Sequence, residues 1–576
     1  MSTGSITIEN LSPISVADWT YERAAHLLER AGFGGTPAQI ERLAQMSPQE
    51  AVASFVDYMH ADNSHLPAFE ESGFWEPSFK DFPVSRPAAT ELAERSGEAM
   101  GVRVKPSGDR PLQPVTNRFF YWLRATVLET RRLAFWWLDR MVRSNRPLEE
   151  KMTLFWHGHF ATSEEKLRDY RKMQLQLDTL RKGATGNFGD LLIAVAKDPA
   201  MLVFLDAAQN VKGAPNENFG REVMELFTMG VGNYTEDDIR EAARAFTGWG
   251  NDDLTFVVDP DKHDGGTKRF LGREGNFSGE DILRIILEQK QTATYIASAL
   301  YRFFVRDQLS PDFAEQLGDL LRDNSYEIAP FLTAIFLSED FYSEASVGTH
   351  IKSPTELLVS TYRKLGLSEL PGIPDPHTVC KTLGQVLLYP PTVAGWGEGR
   401  SWITPGLLYE RANFAREVMF PNIIEFRDPN HNPGGEVRRV NRNIIAGMEI
   451  TAATLEDDAA PSSTAGIQET FNTRYASLMG YSEALRKLKP LPRAAAQFSL
   501  SDIVRDAGAR TAAEAVDVLL GQLLRVPLAP PARQALVTTL TEQLGTADLS
   551  QAETYLEHPL RSVAHLIMSS PQFQLA

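Results

Sequence analysis

His157 and His159, in FWHGHFATS at 155–163, are spaced so that a strand would present both to one metal ion, because alternate side chains of a strand share a face. On a helix the same pair stands about 200° apart and cannot share an ion. Leu148, Met152, Phe155 and Trp156 trace an apolar helical stripe just upstream. Continuing that helix puts His159 on the stripe and His157 opposite, so joint ligation requires a break at Gly158, which glycine permits. The alternative is a hydrogen-bonded core histidine at 159 and an unrelated His157.

Three further segments carry reactive residue types. In PNENFGREVMELFTMGVGNYT (215–235), Phe219, Val223, Leu226 and Phe227 make an apolar stripe flanked by Asn218, Glu222 and Glu225. Carboxylates at i and i+3 on a half-buried flank suit metal binding or acid/base work; the plain alternative is a solvated face with Glu217 and Arg221 paired at i,i+4. In DKHDGGTKRFLGREGNFSG (261–279), His263 and Asp264 precede Gly265 and Gly266, which allow close backbone approach to a ligand or simply a turn. In YPPTVAGWGEGRSWITP (389–405), Trp396, Arg400 and Trp402 offer an aromatic surface for a flat ligand or a sugar, or a buried loop anchor.

The elements that must hold these residues read as helices. Residues 19–32 are amphipathic and end at Gly32 and Gly34; Thr36 and Pro37 then cap and open a second helix, expected to run to about Asp57. Residues 60–115 are rich in Pro, Ser, Gly and Glu and read as an irregular insertion. From Thr116 to Ser144 an aromatic helix comes next, and Pro147 opens another with Glu149 and Glu150 in its first turn. Residues 279–306 carry one continuous helical pattern. Residues 255–259, TFVVD, are the best strand, part of a small hairpin. Residues 451–466 read as a flexible stretch, and about 498–576 as three or four more helices.

Composition narrows the chemistry. With 58 Lys+Arg against 75 Asp+Glu in 576 residues the net charge is −17, which argues against nucleic acid and against a polybasic membrane surface. The single cysteine, Cys380, excludes an intrachain disulfide framework and cysteine-rich metal sites, and its apolar helical setting marks a core residue rather than a nucleophile. There is no phosphate-binding G-x-x-x-x-G-K-[ST] loop, no G-x-S-x-G elbow and no H-E-x-x-H helix. The N-terminus lacks a basic region and an apolar core of signal type, and no apolar run approaches the ~20 residues of a membrane span. The chain therefore reads as soluble and cytoplasmic.

Six stretches together resemble the bacterial family catalogued as domain of unknown function 1800: AAHLLERAGFGGTPAQIERL, EEKMTLFWHGHFATS, NENFGREVMELFTMGVGNYTEDDIREAARAFTGW, HDGGTKRFLG, GQVLLYPPTVAGWGEGRSWI and LIMSSPQFQLA. The resemblance covers nearly the whole chain except parts of 60–115 and 420–500, and implies a predominantly helical protein. It also implies a partner of the family domain of unknown function 1501, which resembles sulfatases and alkaline phosphatases and commonly carries a twin-arginine export signal. Association with such a partner would carry this chain, already folded, to the periplasm or beyond. In the family motif the second histidine, here His159, is the firmer, and the flank of Asn218, Glu222 and Glu225 and the His263–Asp264 loop are favoured as parts of one site.

The expectation is a mainly α-helical fold, a large multi-helix domain with long irregular insertions and little or no sheet. A main domain spans 1–450, and a C-terminal helical segment, 467–576, packs on it after the flexible 451–466. The first functional expectation is an enzyme of hydrolytic or redox type on a carbohydrate or another extracellular polymer. Glu222, Glu225 and Asp264 are its candidate catalytic groups, and Asn218, Arg221, Trp396, Arg400 and Trp402 its candidate substrate contacts. His159 and His263, with His157 behind them, are candidate ligands, joined by Glu222 and Glu225, for a divalent zinc, manganese or iron ion that activates water. The second is a non-catalytic helical scaffold or export companion of the sulfatase-like protein, its polar segments forming buried networks.

Overall fold

Short polar signals start the helices. In a computed structural model that describes residues 9–80, 82, 91, 112–421 and 472–576, α1 (Tyr21–Arg30) begins at Thr20, whose side chain accepts the Arg23 N–H. Thr36 and Gln39 form a reciprocal capping box with Pro37 in the first turn of α2 (Pro37–Ala44). The expected single helix to Asp57 is instead two: Ser47 and Glu50 make a second capping box with Pro48 at the first position of α3 (Pro48–Val56). Pro48 has no N–H to continue the preceding ladder, so the chain turns there.

The aromatic stretch forms α4 (Gln113–Arg143), the longest helix described. After it come α5 (Pro147–His159) and α6 (Tyr170–Lys182). Then α7 (Asn218–Glu222) runs into a wider π-type turn, Val223–Thr228, closed by the Met229 N–H on the Met224 carbonyl at 2.9 Å. Next comes α8 (Glu236–Ala245). The hairpin expected at 255–259 is present: β1 (Trp249–Asp252) pairs antiparallel with β2 (Thr255–Val258), Trp249 opposite Val258. A second hairpin joins β3 (Lys268–Phe270) to β4 (Arg273–Gly275). These two are the sheets among the described residues, and the fold is mainly α.

The helical pattern of 279–306 divides into Gly279–Leu287 and α9 (Lys290–Phe304). Beyond them lie α10 (Pro354–Lys364), α11 (Pro405–Met419), α12 (Thr473–Lys487), α13 (Ala512–Leu523) and α14 (Glu557–Met568). The flexible stretch proposed at 451–466 and much of the insertion at 60–115 lie outside the described residues.

Three apolar clusters hold these elements. One gathers α1 to α3, α5, the π-type turn and α9. A second joins the C-terminal half of α4 to α10, α11, α13 and α14, so the C-terminal helices share a core with the middle of the chain. A third packs the N-terminal half of α4 against Phe74, Phe79 and Ala484 of α12. Buried charge ties α1 to α10: the Glu29 carboxylate, 3% exposed, meets Lys364 at 2.9 Å and Lys352 at 3.2 Å. No helix among the described residues is long and apolar enough to cross a membrane.

Candidate functional site

α5 does not break at Gly158, and that settles the geometry of the two histidines. His157 is 1% exposed, between Trp137 and Trp396 with ring centroids 5.5 and 5.3 Å away, and its Nε2 accepts the Leu388 N–H at 3.1 Å. Burial lowers its pKa to about 3, so the ring is neutral. His159 leaves the helix on the other side, stacked on Phe155. Its Nε2–H donates to the Phe227 carbonyl at 3.0 Å, which leaves Nδ1 as the unprotonated nitrogen. Burial again lowers the pKa, here to about 4.

The carboxylate flank lies elsewhere and is largely satisfied. Arg221 bridges Glu217 and Glu236 at 3.2 and 2.8 Å. Glu225 accepts the Tyr234 hydroxyl at 2.8 Å. Asn218 donates to the Leu205 carbonyl. Glu222 is half-buried, and that burial, then the charge of Glu225, raises its pKa. In the glycine loop His263 donates through Nδ1 to the Thr247 carbonyl at 2.9 Å, while Asp264 takes Arg244 at 2.8 Å. The hydrogen bond from Arg244 leads the effects that hold the Asp264 carboxyl down at about 2.

The candidate metal ligands are not gathered into one cluster among the described residues. His157, His159 and His263 each spend a ring nitrogen on a different stretch of backbone, and no three His, Cys, Asp or Glu side chains among the described residues lie where they could hold an ion.

His159 and the tryptophan loop do meet, in a chamber of about 350 Å³. α5 contributes Phe155, Gly158 and His159 to its wall. From α9 come Tyr295, Ala299 and Arg302, spaced i, i+4, i+7 on one helical face. The N-terminal turn of α10 contributes Ser353 and Glu356, and the preceding segment His350. The loop brings Trp396, Glu398 and Trp402, whereas Arg400 is exposed and outside the lining. That loop sits directly on α5. Gly395 has φ +79°, and a Cβ there would stand 2.4 Å from the Gly158 oxygen, so only glycine fits.

The chamber mixes open charge with aromatic wall. Arg302 and Asp307 both line it, and neither side chain makes a hydrogen bond or ion pair among the described residues. Glu398 has an exposed side chain, but the enclosing walls, then the charges of Asp307 and Glu356, raise its pKa. His350 Nε2 lies 3.0 Å from Glu356 Oε2, and Lys151 pairs with the other carboxylate oxygen. Burial would raise the Glu356 carboxyl; the charge of Lys151 overcomes it and holds the group well below the carboxylate range.

The sequence reading missed Arg302, Asp307, His350 and Glu356. Glu356 does carry a signal, but it is that of a capping box with Ser353, a structural role it also fills. Glu398 stood inside the tryptophan segment, unremarked between two glycines.

Fold and chamber together describe a helical protein enclosing a mixed aromatic and acidic cavity. The chain belongs to the family described as "Protein of unknown function (DUF1800)", whose model matches residues 26–575. No curated protein and no solved structure matches it.

Proposed function

We propose that the chamber is the active site of a hydrolase acting on a carbohydrate, with Glu398 as proton donor and Trp396 as the surface on which a sugar ring rests. The observation that carries this reading is the pairing of an acid whose pKa is raised by its enclosure with an aromatic wall in a chamber of about 350 Å³. A carboxyl whose protonated form is favoured by its surroundings suits proton donation to a leaving oxygen, and indole faces suit the apolar faces of sugars. Arg302 and Asp307 supply hydrogen-bonding groups for hydroxyls. Of the candidate residues read from sequence, the proposed ligand His159 and the proposed substrate contacts Trp396 and Trp402 line this chamber. Glu222, Glu225, Asp264, Asn218, Arg221, His263 and Arg400 do not line it.

Calorimetry and product chromatography with a panel of soluble oligosaccharides test the reading. Binding with slow cleavage, retained binding but lost cleavage in Glu398→Gln, and loss of binding in Trp396→Ala are expected. A panel that neither binds nor is cleaved would sink it.

The scaffold reading, with a sulfatase-like partner, is supported by how fully Arg221, Glu225 and Asp264 are satisfied within the chain. Co-purification with such a protein, and a chamber that takes no sugar, would favour it.

A further inference from the structure

We propose that His350, oriented by Glu356, is the general base of the chamber and takes a proton from the attacking water, so that hydrolysis inverts the anomeric centre. This rests on the reading of the chamber as a carbohydrate hydrolase, but the dyad itself stands on geometry.

His350 Nε2 is 3.0 Å from Glu356 Oε2, and since the ionised carboxylate only accepts, Nε2 carries the proton. Nδ1 is therefore the basic nitrogen, and it has no hydrogen-bond partner among the described residues. The side chain keeps 16% exposure and lines the chamber, whereas the Glu356 side chain is only 5% exposed. Three contacts fix the carboxylate. Besides the imidazole, Lys151, buried, pairs with Oε1, and the Ser353 N–H donates to Oε2 at 2.8 Å. The backbone of His350 is fixed as well, its carbonyl accepting the Ala576 N–H at 2.8 Å. A partly exposed imidazole with one nitrogen on a buried carboxylate and the other without a hydrogen-bond partner among the described residues is the arrangement of a base with an orienting partner.

The step balances. The water oxygen bonds the anomeric carbon as the bond to the leaving oxygen breaks. The water proton goes to His350 Nδ1, and the Glu398 proton goes to the leaving oxygen. The imidazolium is stabilised by Glu356, and solvent returns both groups to their starting protonation. Because water attacks directly, one displacement inverts the configuration.

Glu356 is a positioning residue in this scheme. Its charge also acts on Glu398, so acid and dyad belong to one enclosure.

The test has two arms. In the first, diethyl pyrocarbonate, which acylates unprotonated imidazole, is applied to the intact wild-type protein and the modified peptides are mapped by mass spectrometry. Acylation of His350, with buried His157 spared, is expected. An unmodified His350 in the folded protein overturns the proposal whatever the reaction proves to be. In the second, His350→Ala is expected to lose at least about a hundredfold in turnover. Added imidazole should restore part of it, while sugar binding stays within a few-fold. Glu356→Gln should lose turnover and gain nothing from imidazole. NMR of the wild-type product should show the inverted anomer first. Retention of configuration, or a His350→Ala protein that turns over normally, overturns the dyad while leaving the hydrolase reading intact. Absence of any sugar turnover, with His350 still acylated, overturns the hydrolase reading instead and keeps the open base.

Discussion

The polar groups of the 215–235 flank and the glycine loop differ from those of the chamber below Trp396 in what they have left to offer. On the flank Arg221 holds two carboxylates and Glu225 takes a tyrosine hydroxyl, and in the glycine loop Asp264 takes a guanidinium. In the chamber Arg302 and Asp307 face a cavity with no partner among the described residues, and His350 has a nitrogen to spare. Of the contacts that satisfy the first group, only Arg221 with Glu217 is an i,i+4 helix pair. The others reach between elements, from Arg221 to Glu236, Tyr234 to Glu225 and Arg244 to Asp264, whereas in the chamber no such cross-element partner meets Arg302 or Asp307 among the described residues.

The sharpest way to break this comparison is Glu398→Gln. Turnover should fall about 10²- to 10⁴-fold, as for loss of a general acid, with binding unchanged; an equal loss of binding in calorimetry would show a contact rather than an acid. Next is Glu29→Ala, which leaves Lys364 and Lys352 buried without their carboxylate. About 3–5 kcal/mol of stability should go, measured by urea unfolding. A loss near zero would mean that water enters that cluster.

Smaller is the pH effect of His157. The unfolded imidazole binds a proton near the ordinary 6.5, the folded one only near 3, because burial disfavours the cation. Its contribution is therefore whole above 6.5 and is lost as pH falls from 6.5 toward 3. Replacing it by Asn should flatten that limb of a stability–pH curve taken by chemical denaturation, and an unchanged slope would count against a neutral ring. The smallest effect belongs to the flank. Arg221→Ala should cost no more than about 1 kcal/mol and leave turnover alone, since its ion pairs are half exposed. A large loss of turnover there would move the site back to the flank.

Much of the architecture was readable from local signals. Thr36 with Pro37 opened a helix where expected, and Thr255–Val258 became a strand of a hairpin. The periodicity upstream of Gly158 correctly placed His159 and His157 on different sides of one helix. What periodicity cannot supply is distance along the chain. His350 is separated from His159 by 191 positions (350 − 159) and meets the same chamber only because α9 and α10 pack beside α5. Asp307 lies just after α9 in a short irregular stretch with no pattern of its own. The second failure was chemical: Ser353 and Glu356 read as a helix cap and are one, and nothing in a capping box says that its carboxylate also serves a histidine.

The widened turn at Val223–Thr228 bears on the history of the chain as well as its shape. Two successive carbonyls there, Leu226 and Phe227, accept the Tyr295 hydroxyl and the His159 imidazole, both at 3.0 Å. Such a turn holds one residue more than the α-helix it replaces. Removing one residue of the six would restore ordinary winding and take back the bulge that presents these two carbonyls, drawing them away from their donors. Among related chains, length should therefore vary freely in exposed loops and hardly at all across this segment, where a single deletion would release two walls of the chamber at once.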